Sequence, residues 1–215
     1  MNTKKTLRSL SLIIVFALFL LGSATTGASA DDDDNGDRVR VRWDIISVDI
    51  PITTVSPGGV AFALAPMNLR IKLTGSGTFI VSGSGKTSSK VTGGGTWETF
   101  DAAGMSTGSG TYRVTELADW EFANFQSPGL IDLIGNTNRR ANGNAVLVIK
   151  YSDGTNGTLG IGCHGPGAPD GIVEGVIATK DYVTYWTAEA PLPDVDANRT
   201  IFHIQRGDGD DGDDD

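Results

Sequence analysis

Residues 38–45 alternate strictly between charged and apolar side chains, and this two-residue period restricts the fold more than any other feature of the chain. Successive side chains of a β-strand point to opposite faces, so the pattern predicts a strand with one buried face. Eight further segments rich in β-branched and aromatic residues follow, separated by short turns that contain Gly or Pro. These segments are residues 59–65, 69–82, 90–100, 110–122, 144–152, 158–163, 172–186 and 199–205. Together they predict a single antiparallel all-β domain of about nine strands over residues 38–206.

A Gly-x-Gly-Thr-aromatic motif occurs three times and bears on how such a domain closes. The copies begin at Gly75, Gly93 and Gly108, at spacings of 18 and 15 residues. This spacing is typical of hairpins, so we expect the copies on adjacent strands, with each aromatic ring on the glycine face. Glycine in a strand makes room for a neighbouring ring and permits strong curvature. The motif therefore favours a small closed barrel, with a β-sandwich as the alternative.

Two local features interrupt the strand pattern. The period slips by one residue at Ile45-Ile46, which predicts a bulge in the first strand. Ser127-Pro128 resembles the start of a helix and Gly135-Asn136 resembles its end, so the sequence predicts one short helix over residues 127–134.

The beginning of the chain carries a signal of a different kind. Residues 1–30 combine a basic start, an unbroken apolar run over residues 12–21 and an Ala28-Ser29-Ala30 cleavage pattern, which predict a secretory signal peptide. The apolar run is too short to span a bilayer, so we expect no transmembrane span after cleavage. The protein is therefore expected to be secreted and extracellular, or periplasmic or on the cell surface, depending on the host.

Acidic residues are concentrated at both ends of the mature chain. Residues 31–37 and 207–215 hold eleven of the 26 acidic residues, and the segment between them is nearly neutral. Blocks of like charge repel, so we expect two disordered acidic tails. The formal net charge of −9 differs from the basic footprint of a nucleic-acid binder, and we expect no nucleic-acid partner. No sequence feature indicates a particular oligomeric state.

The chain offers little material for metal or cofactor chemistry. Zinc sites use three or four ligands, usually His or Cys, and the sequence supplies Cys163, His164 and His203 without a spaced motif. We therefore predict no metal site and no cofactor. Cys163 is the single cysteine, and we expect it to be buried rather than available for an intermolecular disulfide. His203 alternates with Phe202 and Ile204, and we expect it at the barrel rim.

Three residues are candidates for proton transfer if the protein is an enzyme. Glu116 and Glu174 each share a strand face with apolar residues, so both carboxylates are expected to point into the barrel. Burial there would raise their pKa values and suit them to acid–base catalysis. His164 begins a loop rich in Gly and Pro, in which we expect it to meet Asp170. The competing interpretation places the acids at strand ends and makes His164 a surface hydrogen-bonding residue.

Aromatic side chains are the remaining material for a binding site. Tyr182 and Trp186 share one face of a predicted strand and Tyr185 lies on the other, so one of these faces is available to solvent or ligand. We therefore predict a secreted, non-catalytic protein that binds a small molecule or a glycan, with Asp170, Tyr182 and Trp186 as ligand-binding residues. The site would be a barrel mouth bordered by the loops at residues 124–144 and 163–171, or an aromatic face. A secreted hydrolase or isomerase with inward carboxylates in a barrel pocket is the first alternative, and a structural or adhesive surface protein is the second.

Overall fold

The computed structural model describes residues 38–49, 51, 54–81 and 87–206. The predicted signal peptide and both predicted acidic tails lie outside these residues. Within them, none of the helices has the length and apolar character needed to cross a membrane. The strands are β1 (Val39–Val48), β2 (Thr54–Pro57), β3 (Ala61–Ala65), β4 (Leu69–Leu73), β5 (Ser76–Val81), β6 (Thr87–Phe100), β7 (Ser106–Phe125), β8 (Ile131–Asp132), β9 (Arg140–Tyr151), β10 (Asn156–Cys163), β11 (Gly175–Lys180), β12 (Val183–Tyr185), β13 (Thr187–Ala188) and β14 (Thr200–Arg206). Two short 3₁₀ turns, Pro66–Asn68 and Thr137–Arg139, complete the regular structure of the described chain.

Six of the strands close into a barrel. β9, β14, β1, β5, β6 and β7 are hydrogen-bonded in this order, and β7 pairs with β9 to complete the ring. Within this ring β14 links β1 to β9, since it pairs with β1 along its whole length and with β9 at Phe202 and His203. All described strand pairs are antiparallel except that of β2 with β8. The predicted all-β fold and the preferred closed barrel are therefore confirmed.

Two groups of strands extend from the barrel. β10, β11 and β12 continue outward from β9, and β4, β3 and β13 continue from β6. Thr74 and Gly75 separate β4 from β5, so the segment predicted over residues 69–82 is two strands, and residues 172–186 divide into β11 and β12 in the same way. The short strands β2, β8 and β13 bring the described total to fourteen, compared with the nine segments visible in the sequence pattern.

Side chains fill the barrel interior. Trp43, Phe79, Leu117 and Phe202 are fully buried there. The Trp120 ring lies 5.3 Å from that of Phe79 and 4.7 Å from that of Phe202, measured between centroids. Small barrels commonly hold side chains rather than ligands in this way. The same apolar core continues between the two strand extensions.

The three glycine motifs lie on the adjacent strands β5, β6 and β7, as their spacing predicted. Trp97 is opposite Gly110, and Tyr112 is opposite Gly95. A Cβ atom at Gly110 would lie 3.0 Å from the indole nitrogen of Trp97, so the glycine creates the space that the ring occupies. Aromatic rings of one strand thus pack over glycines of the next, which is how this part of the barrel curves.

The slip at Ile45-Ile46 marks a change of partner strand instead of the predicted bulge. β1 pairs with β14 up to Ile45 and with β2 from Ile46 onward. Ile45 packs in the main core, whereas Ile46 packs in a second small core with Val48, Val55 and Ile201. The two adjacent isoleucines are both buried because each packs in a different core.

The predicted helix over residues 127–134 is wrong. This segment contains β8, which pairs with β2 through Thr54 and Ile131. The Asp132 carboxylate accepts hydrogen bonds from the backbone nitrogens of Ile134 and Gly135, at 2.9 and 3.2 Å. Aspartate side chains that satisfy the nearby backbone in this way compete with helix formation. We call residues 126–139 the strap, because they cover the outer face of β14.

Candidate functional site

Tyr182 and Trp186 are the most exposed aromatic side chains of the described chain, at 103% and 67%. They flank β12, whose alternation directs Tyr185 into the core and leaves Thr184 exposed with them. The predicted division of this segment into two faces is therefore confirmed, and the outer face carries the accessible rings.

A pocket of about 340 Å³ lies on one side of Trp186, on the outer face of β9, β10 and β11. Gly160 and Gly162 form part of its floor, and Val146 and Ile177 lie beside them. A Cβ atom at Gly160 would lie 2.5 Å from Ile177 Cγ1, so a larger residue would displace that side chain. We call this the glycine pocket. Its described lining is apolar apart from Asn144.

A second pocket, of about 270 Å³, also borders Trp186 and contains Tyr182 and Thr184. The turn that follows β3 forms its opposite wall, where Met67 is 78% exposed. Met67 and Asn68 have φ values of 63° and 59°, an uncommon conformation for residues other than glycine. This left-handed turn projects the Met67 side chain outward at the wall of the pocket that Tyr182 and Trp186 also line. We call this the tyrosine pocket.

A third pocket, of about 460 Å³, has both polar and apolar lining residues and lies at the end of β11. Lys180 is buried there, and its Nζ atom donates hydrogen bonds to Asp153, to Thr155 at 3.2 Å and to Asp181 at 3.0 Å. The ammonium group also lies 4.4 Å from the centroid of the Trp97 ring. We call this the lysine pocket.

The electrostatics of the lysine pocket favour the ionised forms of Asp153 and Lys180. The hydrogen bond from Lys180 lowers the pKa of Asp153 to about 2. Burial acts to lower the pKa of Lys180, but hydrogen bonds to Asp153 and Asp181 outweigh it and raise the pKa. The cluster thus joins two hairpin turns and presents carboxylate oxygens to the pocket. The sequence did not predict it, because Ser152-Asp153-Gly154 and Lys180-Asp181 each resemble an ordinary turn.

Glu174 lies just before β11, at the strand-end position that the competing interpretation described. It does not point into the barrel. Its carboxylate accepts hydrogen bonds from the backbone nitrogens of Thr200, at 2.6 Å, and His164, at 2.5 Å. Burial raises the pKa of Glu174 to about 7 despite these donors. The side chain borders a pocket of about 250 Å³ that also contains His164 and Arg199.

His164 and Asp170 do not meet. The Nδ1 atom of His164 lies 2.8 Å from the carbonyl oxygen of Ile172, and Asp170 is exposed. The loop therefore closes through backbone groups and Glu174 rather than through the expected imidazole–carboxylate pair. Of the predicted catalytic residues, the structure brings together Glu174 and His164, and the contact involves the histidine backbone.

Glu116 points to solvent, so its predicted inward orientation is wrong. The register of β7 against β9 shifts between Val114 and Glu116, and the extra residue moves Leu117 into the core instead. The strand β9 shows how far apart Glu116 and the loop at His164 lie. Its residue Val148 pairs with Glu116, and its residue Gly143 pairs with Cys163, which precedes His164. Five residues of strand separate these positions, about 17 Å. The two carboxylates therefore belong to different parts of the molecule.

Cys163 is buried, as predicted, and its thiol contacts the Thr200 carbonyl oxygen at 3.3 Å. Burial raises the pKa of this thiol well above its ordinary value. The described residues contain no group of three or more His, Cys, Asp or Glu side chains arranged to hold a metal ion.

His203 is buried beneath the strap, so its predicted place at the rim is wrong. Its Nε2 atom lies 2.8 Å from Asp132, and the backbone of Gly135 packs against the imidazole. Burial acts to raise the pKa of Asp132, but hydrogen bonds from His203 and the strap backbone outweigh it and lower the pKa. Alternation alone could not reveal this contact, because the strap covers a face that would otherwise be exposed.

The chain matches no known protein family, no curated protein and no solved structure. Its class is therefore defined by fold and surface: an all-β protein with a packed six-stranded barrel and exposed aromatic rings that border external pockets.

Proposed function

We propose that this is a secreted, non-catalytic binding protein whose ligand, a glycan or another small molecule, lies against Trp186. The position of this side chain carries the proposal, because the indole is 67% exposed and borders the glycine and tyrosine pockets at once. Large aromatic residues usually contribute their area to a core, and a ring left exposed between two pockets favours a binding role.

The chemistry of the two pockets supports an uncharged ligand. Their described linings contain no charged side chain, so an ionic ligand would lose hydration without gaining a partner. The indole offers a flat apolar surface to the C–H face of a sugar or to an apolar ring. Asn144, Tyr182 and Thr184 supply the few polar groups that orient a ligand in a mostly apolar pocket.

Ligand binding to the mature protein tests this proposal. We expect glycans or apolar small molecules from a mixed panel to change tryptophan fluorescence, and W186A to weaken binding by about tenfold or more. F122A is the matched control, because Phe122 is an exposed aromatic residue of β7 outside both pockets. Equal affinities of wild type and W186A for every ligand found would reject the site.

The proposed location is tested separately. The features of residues 1–30 support export, and we expect the mature chain to begin at Asp31. N-terminal sequencing of protein from the culture medium, the periplasm and the cytosol of its host would check this. A full-length chain retained in the cytosol would contradict export.

A second function, proton-transfer catalysis by Glu174, is favoured by the raised pKa and by the adjacent pocket. The carboxyl group titrates near neutral pH, where a general acid or base works best. Turnover of hydrolysable or isomerisable substrates by wild type and W186A, but not by E174Q, would support this enzyme. An absence of turnover by all three is the result that non-catalytic binding predicts.

A further inference from the structure

The glycine, tyrosine and lysine pockets form a series in which neighbouring pockets share lining residues. Trp186 borders both the glycine and the tyrosine pockets, and Leu69 and Val183 border both the tyrosine and the lysine pockets. A ligand that lies on the indole therefore has accessible space beyond each end of the tyrosine pocket. The pockets differ in chemistry, from an apolar glycine floor at one end to carboxylate oxygens at the other.

The glycine and lysine pockets lie at opposite ends of β11, so the three pockets together extend over at least the length of this strand. Gly175 borders the glycine pocket and Lys180 borders the lysine pocket, at the two ends of β11. Five residues of strand correspond to about 17 Å. This distance exceeds one sugar ring, so a ligand that contacts all three pockets must be elongated.

We propose that the glycine, tyrosine and lysine pockets form one groove that binds an uncharged oligosaccharide several sugar rings long. This inference rests on the proposed function and identifies its ligand class. Oligosaccharides combine apolar C–H faces, which suit the exposed indole, with hydroxyl donors, which suit the carboxylates of Asp153 and Asp181. The side chains of these two acids are 38% and 48% exposed, so they remain accessible while bonded to Lys180.

An anionic polymer fits the groove poorly. Lys180 is the only cation among the described residues that line the three pockets. Its ammonium group has three donors, and Asp153, Thr155 and Asp181 accept from it.

Calorimetric titration with β-1,4-linked glucose and N-acetylglucosamine oligomers of two to six rings tests the groove. We expect wild-type affinity for one series to increase about tenfold or more with length and then to become constant, because longer chains add hydrogen bonds to charged acceptors. D181N should lose this increase and keep its affinity for the disaccharide. W186A should lose affinity at every length.

Asn is a suitable replacement at Asp181, because it matches the side-chain shape and tolerates the φ of 54°. D194N is the matched control, since Asp194 is also exposed, has a φ of 59° and lies outside the three pockets. Thermal unfolding of both variants would show whether either substitution disturbs the fold. D194N should bind like wild type.

The possible results separate the groove from the proposed function. Affinity that depends on Trp186 but neither increases with length nor responds to D181N would overturn the groove and leave the aromatic site intact. Tighter binding of a uronic-acid polymer than of the neutral oligomers would also overturn it. Failure of W186A to weaken the binding of any ligand would reject the proposed function itself.

Discussion

Replacement of Glu174 by glutamine should remove a pH dependence that this one carboxyl group imposes on stability. The carboxylate connects the loop after β10 to the start of β14 by accepting hydrogen bonds from His164 and Thr200. An ordinary glutamate titrates near 4.5, and burial raises the pKa of Glu174 to about 7. The folded protein therefore holds this proton more tightly than the unfolded chain does.

The sign and size of the effect follow from linkage. The stabilisation that comes from the tighter proton binding of Glu174 in the folded state is fully present below about pH 4.5. It is lost as the pH rises through about 7. Each pH unit in this window is worth about 1.4 kcal/mol, so the free energy of unfolding should fall by about 3 kcal/mol. E174Q lacks this titration, but its amide leaves one backbone N–H without an acceptor, which costs about 1–2 kcal/mol at every pH. The variant should be the less stable protein at pH 4.5 and the more stable one at pH 8.

Urea unfolding of wild type and E174Q between pH 4.5 and 8.5 measures the difference directly, with tryptophan fluorescence as the signal. E116Q is the control for the glutamate-to-glutamine change itself, since Glu116 is exposed and lies outside this hydrogen-bond network. A constant difference between wild type and E174Q across this range would refute the argument, because it would mean that Glu174 titrates alike in the folded and unfolded chains.

Three further predictions concern the packing of the barrel and its turns. G77A should lower the free energy of unfolding by about 2 kcal/mol, because the added Cβ atom would collide with the backbone of Thr92. Urea unfolding measures this change, and S76A, a substitution at an exposed neighbour, is the control. Cys163 should resist iodoacetamide in the native protein and react in urea, as followed by mass spectrometry, and rapid native alkylation would contradict its burial. K180M should reduce stability by about 1 kcal/mol, since it removes the cation shared by two partly exposed carboxylates. An unchanged urea midpoint would show that the ion cluster contributes nothing.

Local sequence patterns were sufficient to predict the closed barrel. The alternation that begins at Val39 and the glycine motifs at Gly75, Gly93 and Gly108 depend on a strand and its immediate neighbours, so they could be interpreted without the rest of the chain. The inward orientation expected of Glu116 failed because a bulge depends on how two strands pair, which no single-strand pattern records.

The candidate site was only partly predictable for the same reason. Tyr182 and Trp186 flank one short strand, and its period placed them on a common face. The lysine pocket escaped prediction because Asp153 and Lys180 lie 27 residues apart and meet only when two hairpins fold side by side. Burial of His203 likewise depended on the strap, a connection whose path the local composition misrepresented as a helix.

The pairing of β1 with β14 has a consequence for the order of folding. Val39 is opposite Arg206, so the first and last described strands are neighbours although almost the whole domain separates them in sequence. Such distant pairing slows folding, because a long loop must close before the contact forms. A nascent chain that has not yet released β14 from the ribosome presents β1 and the start of β9 as open edges, which are prone to pair with other chains. Completion of the barrel must therefore await the synthesis and release of β14, and a chaperone that shields these edges until then should increase the yield of folded protein.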